Sequence, residues 1–339
     1  MGTPTILVHE YFSGGGWPDR DLPKELVVEG LSMLQAVLAD FSAWNEAFII
    51  TTRDLRLTDI SLTADHIVDL DPNDHLKTLA RLARKCNAAF IIAPESDGIL
   101  ESLNQLVASQ GVHLLGSSPD AIALAANKWE CHQRFCQASL STPDTWLVNI
   151  KQLKESVNRF GFPLIIKPVD GIGCEGIHLI RDKKSLLVAL ESVKNNEGQL
   201  LLQRYIEGQH ISAALLLTEN SCNCLSLNKQ FIKIDNMFNY QGGEVPFNCN
   251  TSEEIVNLAK LASETIPGLK GYIGVDMLLT DTKCYLIEIN PRLTTSYIGL
   301  RQVANINLAE AIWNASWEGR LPNELLLSGK FVFNKEDLV

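Results

Sequence analysis

Short apolar runs alternate with stretches of helical spacing through the first third of the chain. Ile6-Leu7-Val8, Phe48-Ile49-Ile50, Ile67-Val68, Ala89 to Ile92 and Val112 to Leu115 read as strands. Between them Val27, Leu31, Leu34 and Leu38 recur on one helix face, and segments 76–83 and 100–108 carry further helical patterns. The alternation predicts a parallel sheet with helices on both faces. Ligands of such sheets sit beyond the carboxyl ends of the strands, where two polar loops fall: His9 to Trp17 and Pro94 to Gly98. Gly14, Gly15 and Gly16 let backbone approach a ligand closely, and a plain turn explains them equally well.

A turn cluster at Gly116-Ser117-Ser118 precedes Pro119, which suits a first helical turn. Helices are expected to about Ala138. After Thr142-Pro143 the pattern becomes mixed: strands at 146–148, 164–167, 177–180 and 200–203, with helices over 151–160 and 186–193. The rest is strand-rich, with a capping box at Thr251-Ser252-Glu253-Glu254 and a last helix near 308–317. The expected division is an N-terminal α/β module over 1–118, a small α+β module over 119–200, a larger one over 201–325, and a tail over 326–339.

At 339 residues the chain has room for two or three modules around a cleft. Hydrophobic residues at 46% and charged ones at 20% are ordinary globular usage. With 29 Lys plus Arg against 40 Asp plus Glu, and no basic stripe, nothing supports a nucleic-acid partner. Ile6-Leu7-Val8 is too short for a signal peptide or a membrane span, and Ile6 stands where a myristoylation motif needs Ser or Thr, so a cytoplasmic protein is expected. The eight cysteines show no C-x-x-C pair and read as reduced thiols.

Gly171-Ile172-Gly173-Cys174-Glu175-Gly176 spells G-x-G-x-x-G, but a strand, not a helix, follows it at Ile177. A dinucleotide turn needs that helix. Strand, glycine loop and returning strand make a hairpin flap instead, with Lys167 at its entrance as a point charge for a phosphate oxygen. Lys128 can reach the same nucleotide from the opposite wall. The strand 200–203 runs through Gln203, Arg204, Tyr205 and Ile206 into Glu207-Gly208, a hinge whose backbone can read adenine. Glu288 and Asn290 share a strand face, and with Asp276 they form an oxygen set suited to magnesium. For Asp276 to join that face it must pair near Glu288, which in a regular hairpin sets Thr280 opposite Cys284.

These residues in this order resemble the ATP-grasp superfamily over roughly residues 116–301, with a pre-ATP-grasp α/β domain before them. The resemblance implies that Lys128, Lys167 and the flap glycines Gly171, Gly173 and Gly176 meet ATP phosphates. Arg204 and Ile206 would meet adenine, and Asp276, Glu288 and Asn290 would hold two magnesium ions, with manganese as an alternative. Arg292 matches the arginine that steadies the transferring phosphoryl group. His210 stands where an acidic residue often grips the ribose, with Glu207 as a substitute.

Within the superfamily, the segments 8–16, 93–98, 228–230 and 290–296 are similar to tyramine-glutamate ligases of methanofuran-type cofactor synthesis. That implies a small-molecule carboxylate and an amine as partners, a cytoplasmic location with no membrane partner, and leaves a homodimer open. Arg292 and Arg301 are candidates for binding the carboxylates of glutamate. Glu10, Glu95 and Asp97 are candidates for an ammonium, Tyr11, Phe12 and Trp17 for a phenol ring, and Gly14, Gly15, Thr294, Thr295 and Ser296 for further substrate contacts. Rival readings are another amino-acid or peptide ligase, a bicarbonate-using carboxylating enzyme, and a nucleotide-binding regulator without turnover.

Overall fold

A computed structural model describes residues 2–171, 176–193 and 198–338. The N-terminal third runs β1 (Thr5–Glu10), α1 (Lys24–Trp44), β2 (Phe48–Asp54), β3 (His66–Leu70), α2 (His75–Ala83), β4 (Ala88–Ile92), α3 (Ile99–Ala108) and β5 (His113–Leu114). Its strands form one parallel sheet in the order β3-β2-β1-β4-β5. Strand alternation sends Ile6 and Val8 into the core that holds α1, and Leu7 into the core that holds α2 and α3. Both faces are therefore covered, as the apolar runs predict. The α1 helix is long and apolar enough to cross a membrane by composition, yet 61% of that window is buried inside the protein.

Next come α4 (Pro119–Ala126), α5 (Lys128–Gln137), β6 (Thr145–Asn149), α6 (Leu153–Phe160), β7 (Leu164–Pro168), β8 (His178–Ile180), α7 (Lys183–Val193) and β9 (Gln199–Arg204). Ser118 caps α4 ahead of Pro119, and the Asn127 side chain caps α5 through the N–H groups of Trp129 and Glu130. The four strands pair antiparallel in the order β6-β9-β7-β8, so the glycine segment does join two strands. Gly173 and Cys174 lie outside the described residues.

The third sheet holds β10 (Gln209–Leu217), β11 (Cys222–Ile234), β12 (Phe238–Val245), then, after α8 (Ser252–Glu264), β13 (Gly271–Leu279) and β14 (Cys284–Asn290), and, after α9 (Ser296–Val303) and α10 (Leu308–Trp313), β15 (Phe331–Asn334). Its antiparallel order is β14-β13-β10-β11-β12-β15. Three expectations change here. Thr251 precedes α8 but makes no side-chain cap; Ser252 Oγ instead bonds both the N–H and the carbonyl of Cys249. The residues expected as a tail supply β15, and Leu338 enters the core shared by α1, α9 and α10, because burying these apolar side chains outweighs leaving them free. Finally, Asp276 does pair with Glu288, but Leu279, not Thr280, stands opposite Cys284, because a bulge between Asp276 and Met277 absorbs one extra residue of β14.

Candidate functional site

The smaller of two adjoining cavities, about 120 Å³, lies between the second and third sheets. Ile165, Ile177, Phe238, Met277, Leu278 and Ile287 give it apolar walls, and the hinge residues Gln203 to Ile206 form one edge. The Arg204 N–H is committed to the carbonyl of Asp144, and its guanidinium lies over Trp146, so this residue offers the cavity only its carbonyl. His210 lines the cavity against Phe238, and burial lowers its imidazole to about 4, leaving it neutral. Glu207 is exposed and does not line it.

Two lysines converge on Glu288 at the wall of this cavity. Lys167, on β7, is 3% exposed, and its ammonium bonds Gln203 Oε1 at 3.2 Å, which in turn is steadied by Thr145. Burial lowers it to about 8. Lys128, the first residue of α5, donates to the carbonyl of Gly171 at 2.8 Å and pairs with Glu288 at 3.1 Å. Burial opposes its charge, but the Glu288 carboxylate outweighs burial and holds the ammonium above its ordinary value. Lys128 thus ties the glycine segment to the acidic centre.

That centre is the face of β13 and β14. Asp276 accepts from Gln230 at 3.0 Å and from the Asn290 amide at 3.1 Å, which leaves the amide oxygen of Asn290 as an acceptor. Burial and the neighbouring Glu288 push Asp276 up. Burial also works against Glu288, but Lys128 and Lys167 bring it below the usual carboxylate range. Among the described residues no three His, Cys, Asp or Glu side chains cluster, so an amide must complete any oxygen donor set here. A buried carboxylate on Glu288, a half-buried one on Asp276 and an amide oxygen are hard donors, and the charge between the acids is only partly offset. A divalent cation such as magnesium fits them.

Beyond Asp276 the space opens into a cleft of about 1030 Å³ under the carboxyl edge of the first sheet. Arg292 lines it and contacts Glu95 at 2.9 Å, but misaligned, so neither Glu95 oxygen nor the Arg292 Nε makes a hydrogen bond. Glu10, Phe12, Glu29, Thr294, Thr295 and Ser296 also line the cleft. Sequence reasoning missed Glu29, which accepts from Thr295 at 2.6 Å across the boundary between modules; its signal was a charge at helical spacing on the otherwise apolar stretch Val27 to Leu31.

Other candidates go elsewhere. Arg301 faces away from the cleft, with its guanidinium bonded to Asp40 at 2.7 Å. Asp97 is exposed and outside the cleft lining. Gly14 and Gly15 are packed inside the turn after β1, where an added Cβ would strike the Glu10 carbonyl and Leu70. Tyr11 and Trp17 pack around Phe12, and only Phe12 reaches the cleft.

Comparison with known proteins agrees with this geometry. A family profile described as an ATP-grasp domain matches residues 125–296, and one described as a pre ATP-grasp 3 domain matches 48–122. The chain belongs to the ATP-grasp family. It is 29% identical to the tyramine–L-glutamate ligase of Methanocaldococcus jannaschii, over 91% of this chain and 87% of that one. It is 25% identical to the D-alanine–D-alanine ligase of Lawsonia intracellularis, over 70% of this chain and 82% of the other. A putative ATP-grasp superfamily protein from Archaeoglobus fulgidus superposes with a TM-score of 0.69 and 25% identity, covering 95% of this chain and 90% of that one.

Proposed function

We propose that this chain is an ATP-dependent carboxylate–amine ligase, joining the side-chain carboxylate of glutamate to tyramine or tyrosine through an acyl phosphate. The observation that carries the reading is the meeting, where two cavities join, of buried Lys128 and Lys167 with Asp276, Glu288 and Asn290. The substrate choice draws support from the likeness to the Methanocaldococcus jannaschii ligase and from the cleft, where Phe12, Leu26 and Met33 offer apolar surface to a ring and Arg292 offers charge to a carboxylate.

In this reading adenine enters the apolar cavity, taking the Arg204 carbonyl and the Ile206 N–H as partners. The neutral His210 ring faces the ribose. Lys167 and Lys128 draw charge from the phosphates, and Lys128 also holds the carbonyl of Gly171, where the glycine segment begins. Asp276, Glu288 and Asn290 would hold magnesium, or manganese, which when bound neutralises charge across the phosphates. A carboxylate oxygen of the substrate attacks the γ-phosphorus in line and ADP leaves. The amine then attacks the acyl carbon and phosphate leaves. Arg292, which pairs with Glu95 at 2.9 Å without a well-aligned hydrogen bond, would exchange that partner for the transferring phosphoryl group. Ser13 is not a nucleophile here, since its hydroxyl is spent on Glu10.

The test is mass spectrometry of products formed from ATP, magnesium and glutamate with tyramine, tyrosine or simple amino acids. A γ-glutamyl amide of a phenolic amine is expected. If both phenolic amines are inert while another acceptor turns over, the substrate assignment fails and the ligase class stands. No ADP with any pair would overturn the class.

A further inference from the structure

Glu10 ends β1 at the carboxyl edge of the parallel sheet, and its carboxylate is 98% buried by its own turn and by α1. One oxygen accepts from the Phe12 N–H at 3.1 Å, the other from the N–H and hydroxyl of Ser13, both at 2.6 Å. The α1 helix crosses it at Gly30, so tightly that any Cβ there would stand 2.4 to 2.8 Å from the carboxylate atoms. A glycine in mid-helix costs stability, so this close approach has been kept at a cost.

No cation among the described residues pairs with Glu10. The other two acids at this end of the cleft each have a partner: Glu95 stands 2.9 Å from the Arg292 guanidinium, and Glu29 accepts from Thr295. The charged group facing Glu10 from α1 is Glu29, and the Tyr11 phenol lies beside it on its own turn. Glu10 nonetheless lines the cleft shared with Arg292 and Asn290. An isolated buried carboxylate at the mouth of a substrate cleft suits proton transfer better than binding of fixed charge.

We propose that Glu10 is the proton acceptor for the amine that attacks the acyl phosphate, an inference that rests on the ligase reading. The bound ammonium has no lone pair, so it first gives one proton to the Glu10 carboxylate. The freed lone pair then forms the nitrogen–carbon bond as the bond from carbon to the phosphate oxygen breaks, and phosphate leaves with the bonding electrons and takes the second proton. The resulting carboxylic acid is the form its surroundings favour. Burial raises Glu10 to about 7, the Ser13 and Phe12 bonds pull it down, and Glu29 pushes it up. That value matches a base operating near neutral pH.

The test compares two acceptors on the whole protein with ATP, magnesium and glutamate. Tyramine is cationic near neutral pH and must lose a proton, whereas hydroxylamine is already neutral and traps an acyl phosphate as a hydroxamate without a base. In Glu10→Gln, tyramine turnover should fall about 100-fold or more while hydroxamate formation stays within about threefold of the parent. Equal losses with both acceptors would make Glu10 a structural clasp of its turn, and no loss with tyramine would also overturn the proposal. Ser13→Ala keeps the carboxylate and removes the hydroxyl bond that lowers it, so the acid limb of the tyramine pH profile should move to higher pH; an unmoved limb counts against Glu10, even if Glu10→Gln fails to fold. Absence of hydroxamate and ADP with the parent would instead sink the ligase reading.

Discussion

Asp276 stands directly opposite Glu288 across the β13–β14 hairpin, and the bulge that follows Asp276 lets the turn close one residue short without moving either acid off the shared face. Two carboxylates held this way repel each other, which is why Asp276 is pushed up while Glu288 is held down by lysines. Asp276→Asn relieves that repulsion, so its melting temperature should equal or exceed the parent's. Its kcat, and that of Glu288→Gln, should fall by about 100-fold or more, since each loses a charged oxygen at the phosphoryl site. Melting curves and turnover assays on both variants check the pair. Activity within a few-fold of the parent would remove these residues from the site.

Lys128 joins the flap carbonyl of Gly171 to Glu288 with one ammonium. Lys128→Met should raise the KM for ATP about tenfold or more, because a buried charge-assisted contact contributes roughly 1.5 to 3 kcal/mol. Unchanged KM with unchanged kcat would mean that the lysine only braces the fold.

Lys167, Asp276 and Glu288 share the wall of the apolar cavity, and Lys128 pairs with Glu288 there, which under the proposed function suits transfer at the γ-phosphorus. Chromatography of nucleotides after turnover should therefore find ADP and phosphate in equal amounts. AMP and pyrophosphate would contradict the acyl-phosphate mechanism.

Asp40 takes the Tyr297 hydroxyl at 2.6 Å and two nitrogens of Arg301 at 3.0 and 2.7 Å, tying α1 to α9. Asp40→Ala strands both partners and should cost about 3 kcal/mol in chemical denaturation. Well below the melting temperature the KM values should stay within a few-fold of the parent's, since Arg301 points away from the cleft. A large KM change with little loss of stability would return Arg301 to the substrate site.

His9 and His75 share a contact of 3.1 Å between their Nε2 atoms, and His9 also bonds Thr52. Burial lowers His75 from 6.5 to about 4, and burial together with His75 lowers His9 well below its usual value. The unfolded chain then binds more protons between these values. Stability is fully present above pH 6.5 and is lost as pH falls toward 4, by roughly 3 kcal/mol for His75 alone. Urea unfolding at several pH values checks this, and a stability flat across that window would show that the pair charges without cost.

The local order of residues decided much of this protein. Continuous apolar runs and near-four-residue spacing marked the parallel sheet and its helices. The strand after Gly176 separated a hairpin flap from a dinucleotide turn, and two-residue spacing placed Glu288 and Asn290 on one face. Those features rest on neighbours in the chain. What only the tertiary structure decided rests on segments far apart in sequence. Arg301 is spent on Asp40, 261 residues away, and Thr295 meets Glu29 across 266 residues. The glycines after β1 serve close packing against Glu10 and Leu70, and the last strand completes a sheet edge where a tail was expected. A side chain's partner depends on which surfaces the fold presses together, and spacing along the chain carries no record of that until the layers are stacked.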